Sequence, residues 1–269
     1  MKITANELVK VYRGGKRVVD GVSLEVAEGE VVGLLGPNGA GKTTTFYMIV
    51  GLQRPNSGTV MLDDLDITGL PMFKRARAGI SYLPQEASVF RNLTVEENLK
   101  LVLEMRKMTN QERKDRVEQL MESLHISHKR DTLGGLLSGG ERRRVEIARS
   151  LASNPRFILL DEPFTGVDPK AIEDIEIIIQ DLCQKQNIGI LITDHNVEAM
   201  LRITERAYIM ADARMRFEGR SDELLTNDEA RSFYFGESFG MERRVGGRKR
   251  LQHEIDETLQ DSTEHGGKG

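Results

Sequence analysis

The chain has 269 residues, of which 30% are charged, and its formal net charge at pH 7 is −4. This charge gives no general attraction to nucleic acid, and a single cysteine, Cys183, excludes a disulfide within the chain. Because no apolar run approaches the ~20 residues of a membrane-spanning helix and the N-terminus lacks a signal-peptide core, we expect a cytosolic protein whose membrane role would need a partner chain.

The first 35 residues favour antiparallel β-structure. Alternating apolar runs at 8–12 and 22–26 are separated by the glycine pair at 14–15 and by a second turn at 28–30. The next run, at 31–35, is continuously apolar and predicts a buried strand. We therefore expect an N-terminal antiparallel β-subdomain that leads into a buried strand.

A glycine-rich loop follows that strand and precedes a predicted helix at 44–50. Its sequence, GPNGAGKT, matches G-x-x-x-x-G-K-[ST], the motif that wraps the phosphates of a nucleotide. In this motif Lys42 reaches the β- and γ-phosphates, and the Thr43 hydroxyl is placed to bind Mg²⁺. The alternative, a glycine-rich turn that only joins strand to helix, is disfavoured by the complete motif in this context. The predicted nucleotide-binding residues here are Gly36, Pro37, Asn38, Gly39, Ala40, Gly41, Lys42, Thr43 and Thr44.

The pattern changes to helix from about residue 93. Two capping boxes, Thr94 with Glu97 and Ser138 with Glu141, each predict the start of a helix. A charged amphipathic segment between them has its apolar residues on one helical face. We expect an inserted α-helical subdomain at about 93–152.

Short apolar runs at 157–160 and 188–192 flank a predicted helix at about 169–186. Continuous apolar runs of this length are typical of buried parallel strands, and runs at 60–62 and 80–83 predict further strands. Alternation of strands and helices around the nucleotide loop predicts an α/β fold.

Two carboxylates, Asp161 and Glu162, follow the 157–160 run directly. A carboxylate at this position can hold Mg²⁺, and its neighbour can polarise an attacking water. We therefore assign Asp161 to the metal and Glu162 to the general base. Alone, the pair would more often be an ordinary strand end, and the upstream phosphate loop favours the functional interpretation.

A second candidate anion site lies at residues 137–141, which read LSGGE. The capping box explains part of this motif, yet adjacent glycines at a helix start also expose backbone N–H groups to an anion. One triphosphate has little use for two such sites in one chain, whereas a head-to-tail dimer could close each motif over the other copy's γ-phosphate. The residues predicted to act across such a dimer are Ser138, Gly139, Gly140 and Glu141.

Together these motifs resemble those of the ATP-binding subunits of ABC transporters, over residues 1–235. The shared order runs through the phosphate loop, Gln85, the 137–141 signature, Asp161, Glu162, Asp168 and His195. The resemblance implies a P-loop NTPase (RecA-like) core with an N-terminal antiparallel β-subdomain and an inserted α-helical subdomain. It also implies Mg²⁺-dependent ATP hydrolysis by a homodimer, with ATP and Mg²⁺ as cofactors.

The resemblance assigns roles that the residues alone do not reveal. Tyr12 would stack on adenine, and Gln85 would contact Mg²⁺ and the γ-phosphate and signal to the membrane partner. Asp168 would cross the dimer interface, and His195 would contact the γ-phosphate. Without the family, Tyr12 would be an ordinary strand residue, Gln85 a loop residue and His195 a structural residue. Glu141 departs from the family, which more usually has glutamine there.

Several stretches resemble one subfamily, the ATP-binding subunits of lipopolysaccharide exporters of Gram-negative bacteria. They include 45–52, 82–90 and 137–148, whose particular residues ATP hydrolysis does not require. This implies two integral-membrane partners of the LptF/LptG type, a position on the cytoplasmic face of the inner membrane, and no direct contact with substrate or nucleic acid. Phe90 and Arg91 would then line a groove that receives a coupling helix; a solvated loop is the alternative.

Two other functions stay open. ATPase subunits of branched-chain amino-acid importers share much of this sequence, and soluble ABC ATPases act in DNA repair or translation. The soluble classes usually carry two cassettes or a long coiled coil, and neither feature is found here. Beyond the resemblance, we predict a flexible C-terminal extension at 236–269. Its basic cluster at 243–250 could contact anionic lipid or a membrane subunit, although a solvated tail is the more common outcome.

Overall fold

The computed structural model describes residues 1–224. The end of the predicted cassette at 225–235 and the predicted extension at 236–269, with its basic cluster, lie outside the described residues.

The described chain alternates strands and helices after an N-terminal β-rich part. In chain order the strands are β1 (Lys2–Val11), β2 (Arg17–Ala27), β3 (Val31–Leu35), β4 (Ser57–Leu62), β5 (Leu65–Asp66), β6 (Ile80–Leu83), β7 (Phe157–Asp161), β8 (Gly189–Thr193), β9 (Arg206–Ala211) and β10 (Arg214–Arg220). The α-helices are α1 (Lys42–Val50), α2 (Met72–Arg77), α3 (Val95–Glu104), α4 (Asn110–Ser123), α5 (Gly139–Leu151), α6 (Pro169–Gln186), α7 (Val197–Ile203) and α8 (Ser221–Leu224). Two short 3-10 helices lie at Ser127–Lys129 and Gly134–Leu136.

Two sheets share the molecule. The predicted antiparallel N-terminal sheet is confirmed, with the strand order β2-β1-β4-β5. The second sheet has the order β10-β9-β3-β8-β7-β6, and only β10 runs antiparallel to its neighbour. Strand β3 therefore lies between β9 and β8, and the loop that follows it emerges at the middle of the sheet's carboxyl edge.

The second sheet is apolar on both faces, which is typical of parallel strands covered by helices. Successive residues of β7 alternate between two clusters: Phe157 and Leu159 pack in the cluster that contains α1, whereas Ile158 and Leu160 face the cluster that contains α5 and α6. In β8, Leu191 lies on the α1 face. This alternation decides which face the polar residues at the ends of β7 and β8 occupy.

The helical region from α3 to α5 follows the predicted pattern. Both predicted capping boxes form, at Thr94 and Ser138, and a third at Thr109 was not predicted. Helix α6 has the predicted limits, and the apolar face of α4 is buried. These helices share one continuous apolar cluster with α6 and β7, so their packing does not form a separate core. The boundaries of a helical subdomain at 93–152 stay a prediction.

A buried guanidinium closes the far end of α1. Arg75 is 1% exposed and donates hydrogen bonds to the backbone carbonyls of Met48 and Ile49, at 2.7 and 2.6 Å, in the last turn of α1. It also bonds the carbonyls of Thr68 and Leu70. Burial lowers its pKa to about 10. A cation at a helix C-terminus satisfies carbonyls that have no partner within the helix.

Within the described residues, no helix has both the length and the apolar character that crossing a membrane requires.

Candidate nucleotide-binding site

The phosphate loop connects β3 to α1 in a conformation that depends on glycine. Gly36 and Gly41 have φ values of 152° and 108°. A Cβ at Gly36 would lie 2.1 Å from the Met210 carbonyl oxygen, and one at Gly41 would lie 2.3 Å from that of Val18. Any side chain at these two positions would therefore collide with backbone.

Helix α1 begins at Lys42, two residues before the predicted start, so Lys42 and Thr43 lie in its first turn. The Lys42 ammonium donates hydrogen bonds to the carbonyls of Gly36 at 2.7 Å and Pro37 at 3.1 Å. Burial lowers the pKa of Lys42, and the carboxylates of Glu162 and Asp161 partly oppose that shift. The loop thus curves around a buried cation at the N-terminal end of a helix, an arrangement that attracts phosphate.

The predicted metal carboxylate, Asp161, is the last residue of β7 and is 1% exposed. Its Oδ2 accepts a hydrogen bond from the Tyr82 hydroxyl at 3.0 Å, whereas its Oδ1 has no partner among the described residues. Burial raises the pKa of Asp161, as it does that of Tyr82. Sequence reasoning missed Tyr82, because only the pairing of β6 with β7 reveals its position.

This carboxylate suits a divalent cation. Mg²⁺ prefers oxygen ligands, and an unpartnered buried carboxylate oxygen is a ready ligand for it. No group of three or more His, Cys, Asp or Glu side chains in the described part of the chain could hold a metal by itself. Of the predicted ligands Thr43, Gln85 and Asp161, only Asp161 is a carboxylate. The set therefore fits a cation that takes further oxygen ligands from a bound nucleotide.

The three predicted catalytic residues meet at Glu162. Gln85 donates a hydrogen bond from Nε2 to Glu162 Oε2 at 2.7 Å, and His195 Nε2 lies 2.8 Å from Glu162 Oε1. Thr165 also donates to Oε2, at 3.2 Å. Glu162 has a left-handed backbone, with φ 49°, and its N–H donates to the Thr193 carbonyl at 2.7 Å. The carboxylate is therefore held on both oxygens by groups that include an exposed imidazole and an exposed amide.

Asp194 connects the end of β8 to the loop after Glu162, and sequence reasoning did not assign it a role. Its Oδ2 accepts a hydrogen bond from the Phe164 N–H at 2.8 Å, and its Oδ1 accepts one from the Asn196 N–H at 2.9 Å. Burial raises its pKa. These bonds fix the backbone on either side of His195 relative to the 162–165 turn.

The predicted adenine-stacking residue, Tyr12, directly follows β1 and is 40% exposed. Its hydroxyl donates a hydrogen bond to Gln53 Oε1 at 2.9 Å, and Lys10 Nζ lies 5.8 Å from the ring centroid. Gln53 lies 41 residues away in sequence, on the segment after α1, and no sequence motif indicates this contact. The ring is thus held at its hydroxyl end while a substantial part of it stays exposed.

The signature residues form the N-terminus of α5. Ser138 Oγ accepts a hydrogen bond from the Glu141 N–H at 3.3 Å, and Glu141 Oε2 accepts one from the Ser138 N–H at 2.9 Å. That bond, with Lys129 Nζ 3.0 Å away, lowers the pKa of Glu141 to about 2. Glutamate in place of the family's usual glutamine therefore keeps the cap and adds an ion pair.

The two signature glycines pack closely against the segment that contains Asp168. A Cβ at Gly139 would lie 2.6 Å from the Gly166 carbonyl oxygen, and one at Gly140 would lie 2.5 Å from Ala171 Cβ. Asp168 itself is exposed and is the N-cap of α6, where its Oδ1 accepts a hydrogen bond from the Ala171 N–H at 3.1 Å. The signature and Asp168 are therefore neighbours within one chain, and the role of Asp168 across a dimer stays a prediction.

Helix α5 is tied to the carboxylate end of the sheet by Arg143. This buried guanidinium donates hydrogen bonds to the carbonyls of Pro84 at 3.0 Å, Asp161 at 3.2 Å and Pro163 at 3.1 Å. It also pairs with Glu146 at 3.2 Å. The signature helix, the Gln85 segment and the Asp161–Glu162 turn therefore share one buried cation.

The loop predicted to line the partner groove is stabilised by hydrogen bonds from buried polar side chains. Glu146 Oε1 accepts a hydrogen bond from the Ser88 N–H at 2.7 Å, and buried Asn98 bonds both the N–H and the carbonyl of Phe90. The Arg149 guanidinium lies 4.6 Å from the centroid of the Phe90 ring. Phe90 and Arg91 are both exposed on this supported loop. Beside it is an open cleft lined by Arg91, Asn92, Leu133, Gly135 and Leu136.

Comparison with known proteins agrees with this geometry. Residues 19–165 match the family model described as ABC transporter. The lipopolysaccharide export system ATP-binding protein LptB of Haemophilus influenzae is 55% identical over 238 residues, which cover 88% of this chain and 98% of that protein.

Solved structures lead to the same family. The ADP conformation of an ATP-binding cassette of an ABC transporter has a TM-score of 0.78 at 30% identity and matches 88% of this chain and 100% of its own. A dimeric ATP-binding cassette in a post-hydrolysis state, bound to ADP and Pi, has a TM-score of 0.73 at 27% identity over 81% and 98% of the two chains. The predicted fold class is thereby confirmed. The family model, the relative and the solved structures agree with the phosphate loop, carboxylate pair and signature helix described above. The chain therefore belongs to the ABC transporter family, as an ATP-hydrolysing subunit.

Proposed function

We propose that this protein is the ATP-binding subunit of a lipopolysaccharide exporter and works as a homodimer. Support comes from the H. influenzae relative, which is described as a lipopolysaccharide export protein and aligns over nearly its whole length at 55% identity. The E. coli K12 protein of the same description is 54% identical. Such identity extends beyond the motifs that every ATPase of this family needs.

The cluster of Gln85, Glu162 and His195 carries the hydrolytic part of the proposal. A carboxylate held on both oxygens can accept a proton from an attacking water, as a general base does. The Lys42 ammonium and the backbone N–H groups of the phosphate loop neutralise charge on the β- and γ-phosphates. His195 and Gln85 are close enough to Glu162 to orient the γ-phosphate and the water at the same point.

Thr43, Asp161 and Gln85 would hold Mg²⁺ through hydroxyl, carboxylate and amide oxygens. When bound with ATP, this cation neutralises phosphate charge. The unpartnered Oδ1 of Asp161 and the position of Thr43 in the first turn of α1 support this assignment.

Each nucleotide would lie between the phosphate loop of one copy and the Ser138 signature of the other. The signature serine is exposed and stands at a helix N-terminus, where backbone N–H groups attract anions. Asp168, which is exposed beside the signature, would contact the opposing copy. A dimeric relative of the same fold supports this arrangement.

Two integral-membrane subunits of the LptF/LptG type would dock on the groove at Phe90 and Arg91. This chain would then lie on the cytoplasmic face of the inner membrane without contacting lipopolysaccharide. An exposed aromatic ring and a cation on a rigidly supported loop suit an amphipathic helix of a partner.

The test is affinity purification of the tagged full-length chain from detergent-solubilised membranes, with partners identified by mass spectrometry. We expect two integral-membrane subunits that carry a periplasmic β-rich domain. Importer permeases with a solute-binding protein would replace export by amino-acid uptake and leave the ATPase assignment intact. Recovery of ribosomes or repair proteins alone would overturn the transport function.

A further inference from the structure

Two residues with unpartnered buried side-chain oxygens end neighbouring strands at the carboxyl edge of the second sheet. In the described part of the chain, the other buried side-chain atoms without hydrogen-bond partners are arginine Nε atoms whose guanidinium groups bond elsewhere. The only oxygens in that state are Asp161 Oδ1 and Thr193 Oγ1.

The positions of these two residues are coupled by strand register. Asp161 ends β7, Thr193 ends β8, and the two are direct partners across the parallel pair. Paired residues on adjacent strands project from the same face of the sheet. That face is the one on which Leu159 and Leu191 pack with α1, so both polar side chains lie on the α1 side.

A hydroxyl this deeply buried requires an explanation. Thr193 is 1% exposed, and an unmet buried hydroxyl costs free energy that native proteins seldom leave uncompensated. Its backbone carbonyl is already used, since it accepts the Glu162 N–H at 2.7 Å. Because its hydroxyl has no partner among the described residues, that oxygen is available to a water or ligand near the Asp161 carboxylate.

We propose that Thr193 is a positioning residue of the cation site, whose hydroxyl holds a water that accompanies the nucleotide's divalent cation beside Asp161. This inference rests on the proposed Mg²⁺–nucleotide site. Mg²⁺ retains several waters when proteins bind it, and such waters need hydrogen-bond partners. The Thr193 backbone also anchors Glu162, so one residue connects the cation site to the general base.

The test uses the isosteric variant Thr193→Val in the full-length chain. Binding of a fluorescent ATP analogue is titrated with Mg²⁺, and Mn²⁺ binding in the presence of ADP is followed by electron paramagnetic resonance. We expect the half-saturating cation concentration to rise about threefold to tenfold, as loss of one hydrogen bond implies. Nucleotide affinity in EDTA stays unchanged.

Two comparison variants make the result specific. Thr193→Ser keeps the hydroxyl and restores the normal cation requirement. Thr204→Val removes another buried hydroxyl, which bonds the Met200 carbonyl at 2.9 Å, and leaves the cation requirement unchanged. If the valine variant does not fold, Thr193→Ala compared with Thr193→Ser tests the same hydroxyl.

A normal Mg²⁺ requirement in Thr193→Val would overturn the inference, as would an equal loss of nucleotide affinity with and without cation, or failure of the serine variant to restore it. Nucleotide binding by the unaltered chain that is insensitive to Mg²⁺ would instead overturn the proposed cation site itself. The failure of the inference and the failure of the proposed function are therefore distinguishable.

Discussion

The phosphate loop and the signature satisfy their polar groups in opposite ways. Lys42 is buried, bonded to its own loop and next to two buried carboxylates. Ser138 is exposed: its hydroxyl accepts the Glu141 N–H at the start of α5, and the Glu141 carboxylate accepts the Ser138 N–H and pairs with Lys129. One chain therefore buries Lys42 and the carboxylates of the proposed catalytic half of the site and presents the other half, the signature, on its surface. This difference fits the proposed dimer, in which each complete site would combine the phosphate loop of one copy with the signature of the other.

Glu162→Gln would remove the catalytic half most completely. Because an amide cannot accept the proton from water, we expect ATP turnover to fall by about 10²–10⁴, with ATP binding retained. Steady-state phosphate release and equilibrium nucleotide binding measure the two quantities separately. Substantial residual turnover would remove Glu162 from the role of base.

Lys42→Ala tests the buried cation on the same side. Loss of charge-assisted hydrogen bonds to phosphate should weaken ATP binding about tenfold to a hundredfold. Fluorescence titration with an ATP analogue gives the dissociation constant, and Lys185→Ala, at an exposed lysine of α6, is the control. Equal affinities of the two variants would contradict the phosphate-binding role.

Ser138→Ala tests the surface half. ATP binding by the single chain should stay normal, whereas turnover falls because the opposing copy's γ-phosphate loses a contact. When Ser138→Ala and Lys42→Ala chains are mixed in equal amounts, half of the dimers should contain one chain of each kind. Each such dimer has one intact site out of two, so the mixture should show about a quarter of normal turnover. No recovery on mixing would argue that the signature does not act across a dimer.

The cap at Glu141 gives a smaller effect that depends on pH. Its folded pKa of about 2 lies below the ordinary value of 4.5, so its stabilisation is complete above pH 4.5 and is lost as pH falls toward 2. Glu141→Gln keeps the cap without titrating. Chemical denaturation at several pH values should show the unaltered chain losing about 1 kcal/mol more than the glutamine variant over this range. Parallel curves would contradict the shifted pKa.

Gln53→Ala should give the smallest effect. Without its anchor the Tyr12 ring is less ordered, and we expect the KM for ATP to rise about twofold to threefold with kcat unchanged. Steady-state kinetics test this directly. In a Tyr12→Ala background the same change should have no effect, and an undiminished effect there would show that Gln53 acts elsewhere.

Local rules predicted much of this molecule. Features that depend on residues close together in sequence can be predicted from the sequence alone. They include the phosphate loop, the capping boxes at Thr94 and Ser138, and the limits of α6. Helix α1 begins two residues before the predicted start, because the motif's lysine already belongs to the helix.

Contacts between distant segments were not predictable. Tyr82 bonds Asp161, and Thr193 pairs with it across the strands, only because β7 lies between β6 and β8. The apolar periodicity of a strand does not indicate which strands are its neighbours. Gln53 and Asn98 are single polar residues whose partners depend on tertiary packing. The hydrogen-bond partners of buried polar side chains are therefore the feature of this chain that its sequence predicts least well.

Arg75 connects the C-terminal end of α1 to a neighbouring segment, and this connection offers a way to detect phosphate binding. It fastens the last carbonyls of α1 to the Thr68–Leu70 segment, while the first turn of the same helix belongs to the phosphate loop. The helix is nine residues long, or about 13 Å, and is clamped at its far end by a planar group that lysine could not replace. Amide hydrogen exchange in the last turn of α1 should therefore slow when phosphate is bound at the first turn, so that the far end of this buried helix would report whether the site is occupied.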